Sequence, residues 1–345
     1  MSPREARNKS DVQSCFLAFF DNSRKITHDA FPLRRERLGS WVKVARLQFY
    51  PMAFIAYSMG AASTISASSK FSLPVYALGY VLLFLIEFCT VLANEYYDYE
   101  TDRINQNFSM FTGGTRVLVE GRLGFRDIKI AITGALCLIA VLGILFVTVD
   151  RDVSPLLITV MLLIGLFFGF GYTVPPLKFS YRGLGELVVG GTHSFYLVLC
   201  GYVFQGGAWE HALPWLLSIP LFFAVLGAIT LADLPDRPAD LATSKRTMAV
   251  IFGPKAATVI ASCCIAVAAL SAVPIFHSTL NSRRIWAAGS IIVVLHACAL
   301  LRALIGLLRS GAYDRRMDNV MHLALSYIIW FGVIPLVSFT EGIDW

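Results

Sequence analysis

The chain has 345 residues, of which 56% are hydrophobic and only 15% are charged. Because soluble globular domains contain about 25% charged residues, this composition excludes an ordinary soluble protein and indicates helices that lie in a lipid bilayer. The net charge of +6 gives no support for nucleic-acid binding, since basic residues gathered on one side of a membrane explain it.

Residues 1–40 are polar and basic, apart from a short apolar patch at residues 15–20. A cleavable signal peptide needs an apolar core of about 7–15 residues, so we predict a cytoplasmic N-terminal arm, followed by one membrane domain over residues 41–345. The seven cysteines form no CxxC pair and the six histidines have no ligand spacing, which argues against a zinc site.

Nine stretches of the chain are candidates for membrane-spanning helices, each of which needs about 20 mostly apolar residues. The sequence therefore predicts an all-α, polytopic membrane protein with nine transmembrane helices. In chain order the predicted spans cover residues 44–66, 73–95, 128–149, 154–173, 185–205, 212–232, 255–275, 285–308 and 319–340.

The basic residues predict the orientation of these spans, because cytoplasmic loops of membrane proteins are enriched in Lys and Arg. With the N-terminus inside, 25 of the 29 basic residues lie on the cytoplasmic side. The outside loops then hold only Lys70, Arg151, Arg283 and Arg284. We therefore expect the arm and the loops after spans 2, 4, 6 and 8 on the cytoplasmic side, which in a prokaryote is the inner face of the cell membrane.

The first cluster of polar side chains ends span 2. It reads NxxxDxxxD over Asn94, Asp98 and Asp102, and steps of four residues place the three side chains on one face of a helix. Glu87 lies on nearly the same face, seven residues earlier. Carboxylates in the membrane zone are costly unless they face a cavity or a partner. Hard oxygen ligands of this kind favour Mg²⁺.

Two loop segments bring basic groups to the same side. Residues 111–116 contain two glycines, whose backbone N–H groups can approach a phosphate, and end at Arg116. Residues 172–178 begin at Tyr172, at the end of span 4, and finish at Lys178. Arg46, at the entry of span 1, is a further basic residue on this side.

The second acidic cluster, Asp233, Asp236 and Asp240, ends span 6 on the same side as the first. Two prolines within it make a regular helix here doubtful, although the aspartates would still cluster in a kinked segment. Lys245 and Arg246 follow directly. Two acidic clusters that end spans on the same side predict one shared site for divalent cations and phosphate.

These motifs resemble those of the UbiA-type superfamily of intramembrane prenyltransferases, over roughly residues 41–340. Residues 113–121, 172–176 and 183–186 are also similar to segments of the 1,4-dihydroxy-2-naphthoate prenyltransferases of menaquinone synthesis. Those enzymes usually carry paired asparagines and an Arg-Asp pair before the second motif, where this chain reads ADLPD at residues 232–236. This departure leaves the identity of the acceptor open.

The resemblance implies nine helices around a central cavity, capped by the cytoplasmic loops after spans 2 and 6. It implies an enzyme that transfers a prenyl group from an isoprenyl diphosphate to an aromatic acceptor and releases pyrophosphate, as in quinone and menaquinone biosynthesis. The predicted Mg²⁺ ligands are Asp98, Asp102, Asp236 and Asp240, with Asn94 and Asp233 assisting.

The resemblance also suggests roles for the basic and aromatic residues. Arg116, Lys178 and Lys245 would stabilise the departing diphosphate, and Arg46 and Arg246 would contact the donor or the acceptor. Glu87 or Arg46 would orient the acceptor, unless they only form hydrogen bonds between helices. The allylic cation would be shielded by the rings of Tyr97, Phe170 and Tyr172, through contacts of about 1–2 kcal/mol each.

Three other functions compete with prenyl transfer. A terpene cyclase on the same scaffold would ionise a prenyl diphosphate without any acceptor. A phosphatidyl-type alcohol phosphotransferase also uses membrane aspartates, but this sequence lacks the DG…AR segment of that motif. A cation-coupled transporter would place its carboxylates near the bilayer midplane, whereas both clusters here end spans.

Overall fold

The computed structural model describes residues 34–68, 71–149, 152–314 and 317–341. All regular elements in these ranges are helices, and residues 1–33 of the predicted arm lie outside them. The helices are α1 (Arg34–Val44), α2 (Tyr50–Ser68), α3 (Leu73–Tyr97), α4 (Tyr99–Ile104), α5 (Phe125–Val149), α6 (Pro155–Thr173), α7 (Gly185–Phe204), α8 (Ala212–Ala232), α9 (Arg237–Ala242), α10 (Met248–Ile251), α11 (Pro254–Thr279), α12 (Arg283–Ser310) and α13 (Asp318–Thr340).

Eight of these helices are long and apolar enough to cross a membrane, namely α3, α5, α6, α7, α8, α11, α12 and α13. Their outer faces expose large apolar side chains, among them Val141 and Ile144 on α5 and Leu295 on α12. A contiguous apolar surface of this kind is unfavourable in water and favourable in lipid. The chain is therefore an all-α integral membrane protein with several spans.

The first predicted span, residues 44–66, corresponds to α2, but its predicted start was wrong. Val44 ends α1, and α2 begins only at Tyr50. Arg46 interrupts the helix with a left-handed φ of 51°, and Pro51 suits the first turn of a new helix rather than an interior. Because α2 is less apolar than the eight other long helices, the total of nine spans stays a prediction.

The long helices surround a central cavity. Helix α3 packs against α5 and α6, while α8 packs against α7, α11 and α13, and α13 also contacts α2 and α12. The cavity encloses about 270 Å³ and is walled by α2, α3, α6, α7, α8 and α13. Helices α5, α11 and α12 support this inner ring from outside.

Helices α2 and α7 approach each other at two glycines. A Cβ atom on Gly60 would stand 2.0 Å from the carbonyl oxygen of Val198, and one on Gly201 would stand 2.1 Å from that of Tyr57. Small residues let membrane helices pack with their backbones in contact. This contact holds α2 against the inner ring and so closes one wall of the cavity.

We predict that Gly201→Val separates α2 from α7 and lowers the free energy of unfolding by about 1–3 kcal/mol, the usual cost of forcing extra atoms into a packed interior. Thermal unfolding of the purified protein in detergent measures this loss. Gly134→Ala is the matched control, because a Cβ there meets nothing within 4 Å. Equal unfolding temperatures for the two variants would contradict the prediction.

Candidate active site

The two acidic clusters meet at one end of the central cavity. Asp98 follows the last residue of α3, and Asp233 follows the last residue of α8. Together with three further polar side chains of the clusters they line the cavity wall: Asn94, Asp102 and Asp236. The structure thus brings together, in one place, side chains that are far apart in the sequence.

Hydrogen bonds join the segment around and after the first acidic cluster to the second cluster and the residues that follow it. Asn105 donates its amide hydrogen to Asp236 Oδ1 at 2.7 Å, and the Gly113 N–H donates to Asp236 Oδ2 at 3.0 Å. Thr101 donates to the hydroxyl oxygen of Thr243 at 2.9 Å. Both carboxylate oxygens of Asp236 are therefore fixed by the segment that follows α3.

Asp98 is the most heavily contacted carboxylate of the site. The Lys245 ammonium and the Asn94 amide both donate to Asp98 Oδ2, at 3.1 and 2.9 Å, and the Tyr181 hydroxyl donates to Oδ1 at 2.9 Å. The Lys245 Nζ also lies 3.9 Å from Asp240 Oδ1. Lys245 is thus an internal counter-cation for both acidic clusters.

The site carries more negative charge than its cations balance. Removal from water, reinforced by Asp98 and Glu95, raises the pKa of Asp102 well above its usual value. Burial likewise raises the pKa of Asp236 and raises that of Asp240 to about 7. Burial acts to lower the pKa of Lys245, but the nearby carboxylates outweigh it and raise this pKa instead. Asp233 is affected like the other carboxyls, because burial and Glu186 raise its pKa.

The glycine-containing loop after α4 is held against these carboxylates by Glu95, which sequence reasoning did not single out. Glu95 is buried and accepts hydrogen bonds from the backbone N–H groups of Thr115 and Val117, at 3.0 and 3.1 Å. Gly114 has a φ of +69°, and a Cβ there would lie 1.9 Å from Asp102 Oδ2. Only glycine permits this close approach.

Three predicted diphosphate ligands lie outside the cavity wall. The Arg116 guanidinium donates to the carbonyl oxygens of Asp102 and Asn105 and stacks on Phe108 at 4.1 Å. Lys178 places its ammonium 3.7 Å from the centre of the Tyr181 ring, and Arg246 is exposed at the surface. Arg116 thus braces the backbone that follows the first cluster and Lys178 contacts the Tyr181 ring, and neither lines the cavity.

Two further predicted basic groups, Arg46 and Lys245, do line the cavity. Asp240 does not line it, yet remains part of the site because its carboxylate contacts Lys245 and accepts a hydrogen bond from Thr247 at 3.3 Å. The cavity therefore combines two cations with the carboxylates at its polar end.

Aromatic rings occupy the wall next to the polar end. Tyr172 lines the cavity as predicted, whereas Tyr97 and Phe170 do not. Helix α6 turns Phe168 toward the cavity instead, four residues before Tyr172. The helical spacing of Gly165, Phe168, Gly169 and Tyr172 on one face explains why Phe170 points elsewhere.

The donor atoms of the site fit Mg²⁺ in type and charge. Asp102 Oδ2 and Asp240 Oδ1 are buried without a hydrogen-bond partner, and hard carboxylate oxygens are the ligands that Mg²⁺ prefers. Within the described residues, no three His, Cys, Asp or Glu side chains form a preassembled metal-binding group. In this structure the distances between the carboxylates are set by Lys245 and by the hydrogen bonds to Asp98 and Asp236.

The sequence profile of the UbiA prenyltransferase family matches residues 53–331. A UbiA homolog from Aeropyrum pernix K1 has a similar structure, with 18% identity, a TM-score of 0.63 and coverage of 84% of this chain and 98% of that chain. For a UbiA homolog from Archaeoglobus fulgidus bound to GPP and Mg²⁺, the identity is 14%, the TM-score 0.59 and the coverage 86% and 99%.

A digeranylgeranylglyceryl phosphate synthase is also similar, with 16% identity, a TM-score of 0.56 and coverage of 89% of this chain and 99% of that chain. Comparison of the sequence with curated proteins gives no match. At these identities the structural likeness shows a common fold.

We predict that the metal-free protein becomes less stable as the pH rises from about 4 to about 7. The pKa of Asp240 is raised from its usual value of 3.8 to about 7 in the folded protein. The folded state therefore binds this proton more tightly than the unfolded state does, and the stabilisation is lost on deprotonation. Asp240→Asn should flatten the dependence in thermal unfolding with a chelator present. The exposed Glu210→Gln is the control, and equal pH slopes for all three proteins would contradict the assignment.

Proposed function

Because the chain belongs to the UbiA prenyltransferase family, we propose that it transfers a prenyl group from an isoprenyl diphosphate to an aromatic acceptor and releases pyrophosphate, in a reaction that needs Mg²⁺. The observation that carries this proposal is the convergence of Asp98, Asp102 and Asp236 on one cavity with Lys245 between the clusters. The quinone-type acceptor, of which the menaquinone precursor is the leading candidate, rests on the sequence resemblance.

In this proposal the carboxylates of Asp98, Asp102, Asp236 and Asp240 hold the metal, with Asn94 and Asp233 assisting. Bound Mg²⁺ would supply the positive charge that neutralises a diphosphate group as it departs. The excess of carboxylates over cations in the site supports this role, because two buried carboxylate oxygens, Asp102 Oδ2 and Asp240 Oδ1, accept no hydrogen bond.

The cations of the chain itself serve the same anion. Lys245 and Arg46 line the cavity beside the acidic clusters, and positioned cations stabilise negative charge that develops on a leaving group. The bond between the allylic C1 and the diphosphate oxygen breaks, and its electron pair leaves with pyrophosphate. Tyr172 and Phe168 then present π faces to the allylic cation.

The rest of the cavity suits an apolar donor and an aromatic acceptor. Its deeper wall is formed by side chains such as Leu83, Ile86 and Leu197, and by glycines of α6. A ring carbon of the acceptor forms the new bond to C1 and loses a proton. Exclusion of water by these walls protects the cation from hydrolysis.

The basic-residue asymmetry supports an orientation in which the polar end of the cavity faces the cytoplasm. The ends of α3 and α8 carry both acidic clusters and lie at the same end of the cavity. A soluble diphosphate donor and Mg²⁺ would then reach the site from the cytoplasm, with the membrane taken as the cell membrane in a prokaryote.

We predict that Asp98→Asn and Asp236→Asn each reduce pyrophosphate release about a hundredfold or more, the usual effect of removing a group that stabilises transition-state charge. The assay uses membranes with Mg²⁺ and a prenyl diphosphate, and a chelator should abolish release until Mg²⁺ is restored. Asp318→Asn, at the start of α13, is the control. Near-normal release from both cluster variants would exclude the metal role.

We further predict that purified protein, given Mg²⁺, prenyl diphosphates of several lengths and a panel of aromatic acceptors, forms prenylated acceptors that mass spectrometry detects. Each product should exceed its acceptor by the mass of the prenyl group less one hydrogen. Cyclic hydrocarbons or alcohols formed from the diphosphate alone would instead show a terpene cyclase. Cation-dependent uptake without any product would indicate a transporter.

A further inference from the structure

A second polar pair lies deeper in the cavity, away from the acidic clusters. Glu87 on α3 and His193 on α7 both line the cavity, and Glu87 Oε1 lies 3.8 Å from His193 Nε2. Glu87 precedes Asp98 by eleven residues, which is about 16 Å along the helix axis. Ionisable groups at membrane depth are costly and normally mark a functional site.

The hydrogen bonds of His193 determine which ring nitrogen carries a proton. His193 Nδ1 lies 3.1 Å from the carbonyl oxygen of Val189 and 3.2 Å from the hydroxyl of Thr192, which gives its own hydrogen to the Val188 carbonyl oxygen. Because both neighbours then only accept, Nδ1 donates. In its neutral form the imidazole then directs the lone pair of Nε2 toward Glu87. Two hydrogen-bond acceptors can face each other only when a proton lies between them. That proton is carried either by one of the two residues or by the hydroxyl group of a bound molecule.

The backbone of α7 departs from regular α-helical geometry at His193. Residues Thr192–Tyr196 form a π-helical turn within the α-helix, and such turns occur frequently at functional sites. Thr192, His193, Tyr196 and Leu197 all line the cavity around this turn. The wide turn therefore belongs to the wall that holds the polar pair.

The side chains around the pair are apolar or aromatic. Ile86, Tyr196 and Leu197 line the same part of the cavity, and the Tyr196 hydroxyl is already engaged as a donor to the Met161 carbonyl oxygen at 3.0 Å. Tyr50 and Tyr80 lie near enough to Glu87 for its charge to act on their hydroxyl groups. Among the described side chains His193 is the basic group within 4 Å of the Glu87 carboxylate.

We propose that Glu87 and His193 form the acceptor subsite, and that the acceptor is an aromatic ring bearing a hydroxyl group. This inference rests on the proposed function. The hydroxyl group donates its hydrogen to the facing lone pairs, while the ring packs on the apolar wall and directs its opposite edge toward the Asp98 end. A hydrogen bond to an anionic partner also increases the electron density of the ring, which favours its attack on an allylic cation.

The experiment compares two probe acceptors, 1,4-dihydroxynaphthalene and its dimethyl ether, on wild-type protein, Glu87→Gln and His193→Phe in lipid nanodiscs. Wild-type protein should bind the diol about tenfold or more tightly than the ether, the usual effect of one hydrogen bond to a charged group. Both variants should bind the two probes about equally. Calorimetric titration measures the affinities.

Turnover gives an independent readout that a merely structural role would not change. In the variants the KM for the acceptor should rise about tenfold or more, while the KM for the prenyl diphosphate stays at the wild-type value. Glu210→Gln and His277→Phe, both exposed outside the cavity, are the matched controls. Thermal unfolding identifies a variant that does not fold, in which case the other variant decides the test.

An unchanged preference for the diol in both variants would overturn the acceptor subsite, even if prenylated products form normally. No preference in the wild-type protein would overturn it as well, and would leave Glu87 and His193 as a pair of purely structural importance. Failure of the proposed function would look different, because no acceptor would then be prenylated and the two aspartate variants would release pyrophosphate like the wild type.

Discussion

The structure depends on the enclosure of several carboxylates at one end of an apolar cavity. Charged groups removed from water need compensating charge or hydrogen bonds, and here Lys245 contacts Asp98 and Asp240 while Asn105 and the Gly113 N–H fix Asp236. This compensation is incomplete, since Asp102 Oδ2 and Asp240 Oδ1 are buried and accept no hydrogen bond. The affinity for cations therefore follows from the fold itself.

The loop that follows α4 works as a connector between the two halves of the site. Glu95 holds its backbone, Gly114 brings it against Asp102, and Arg116 closes the end of α4 by donating to two carbonyl oxygens. Asn107 adds a further bond by donating to the Pro235 carbonyl oxygen at 3.2 Å. These hydrogen bonds tie the segment after α3 to the segment after α8, so they fix the distance between the ends of the two helices.

Periodic features of the sequence predicted most of this architecture, because helix geometry is local. The NxxxDxxxD spacing predicted one helix face, although α3 ends before Asp98 and Asp102 lies on α4. The apolar stretches located the long helices to within a few residues, apart from the start of α2. The partners of Arg116 and Asp236 were not predictable in this way. Arg116 has a left-handed φ of 61°, which turns its side chain back onto carbonyl groups, and Asn105 meets Asp236 across 131 residues of chain.

The cavity is charged at one end and apolar along its depth, and this asymmetry bears on where products go. In the proposed reaction pyrophosphate is soluble in water, whereas a prenylated ring partitions into the bilayer. Pyrophosphate would therefore leave through the polar end into water, and the prenylated ring would leave through the apolar part of the cavity into the bilayer. Turnover would then be driven forward by the separation of the two phases, without a dedicated release step.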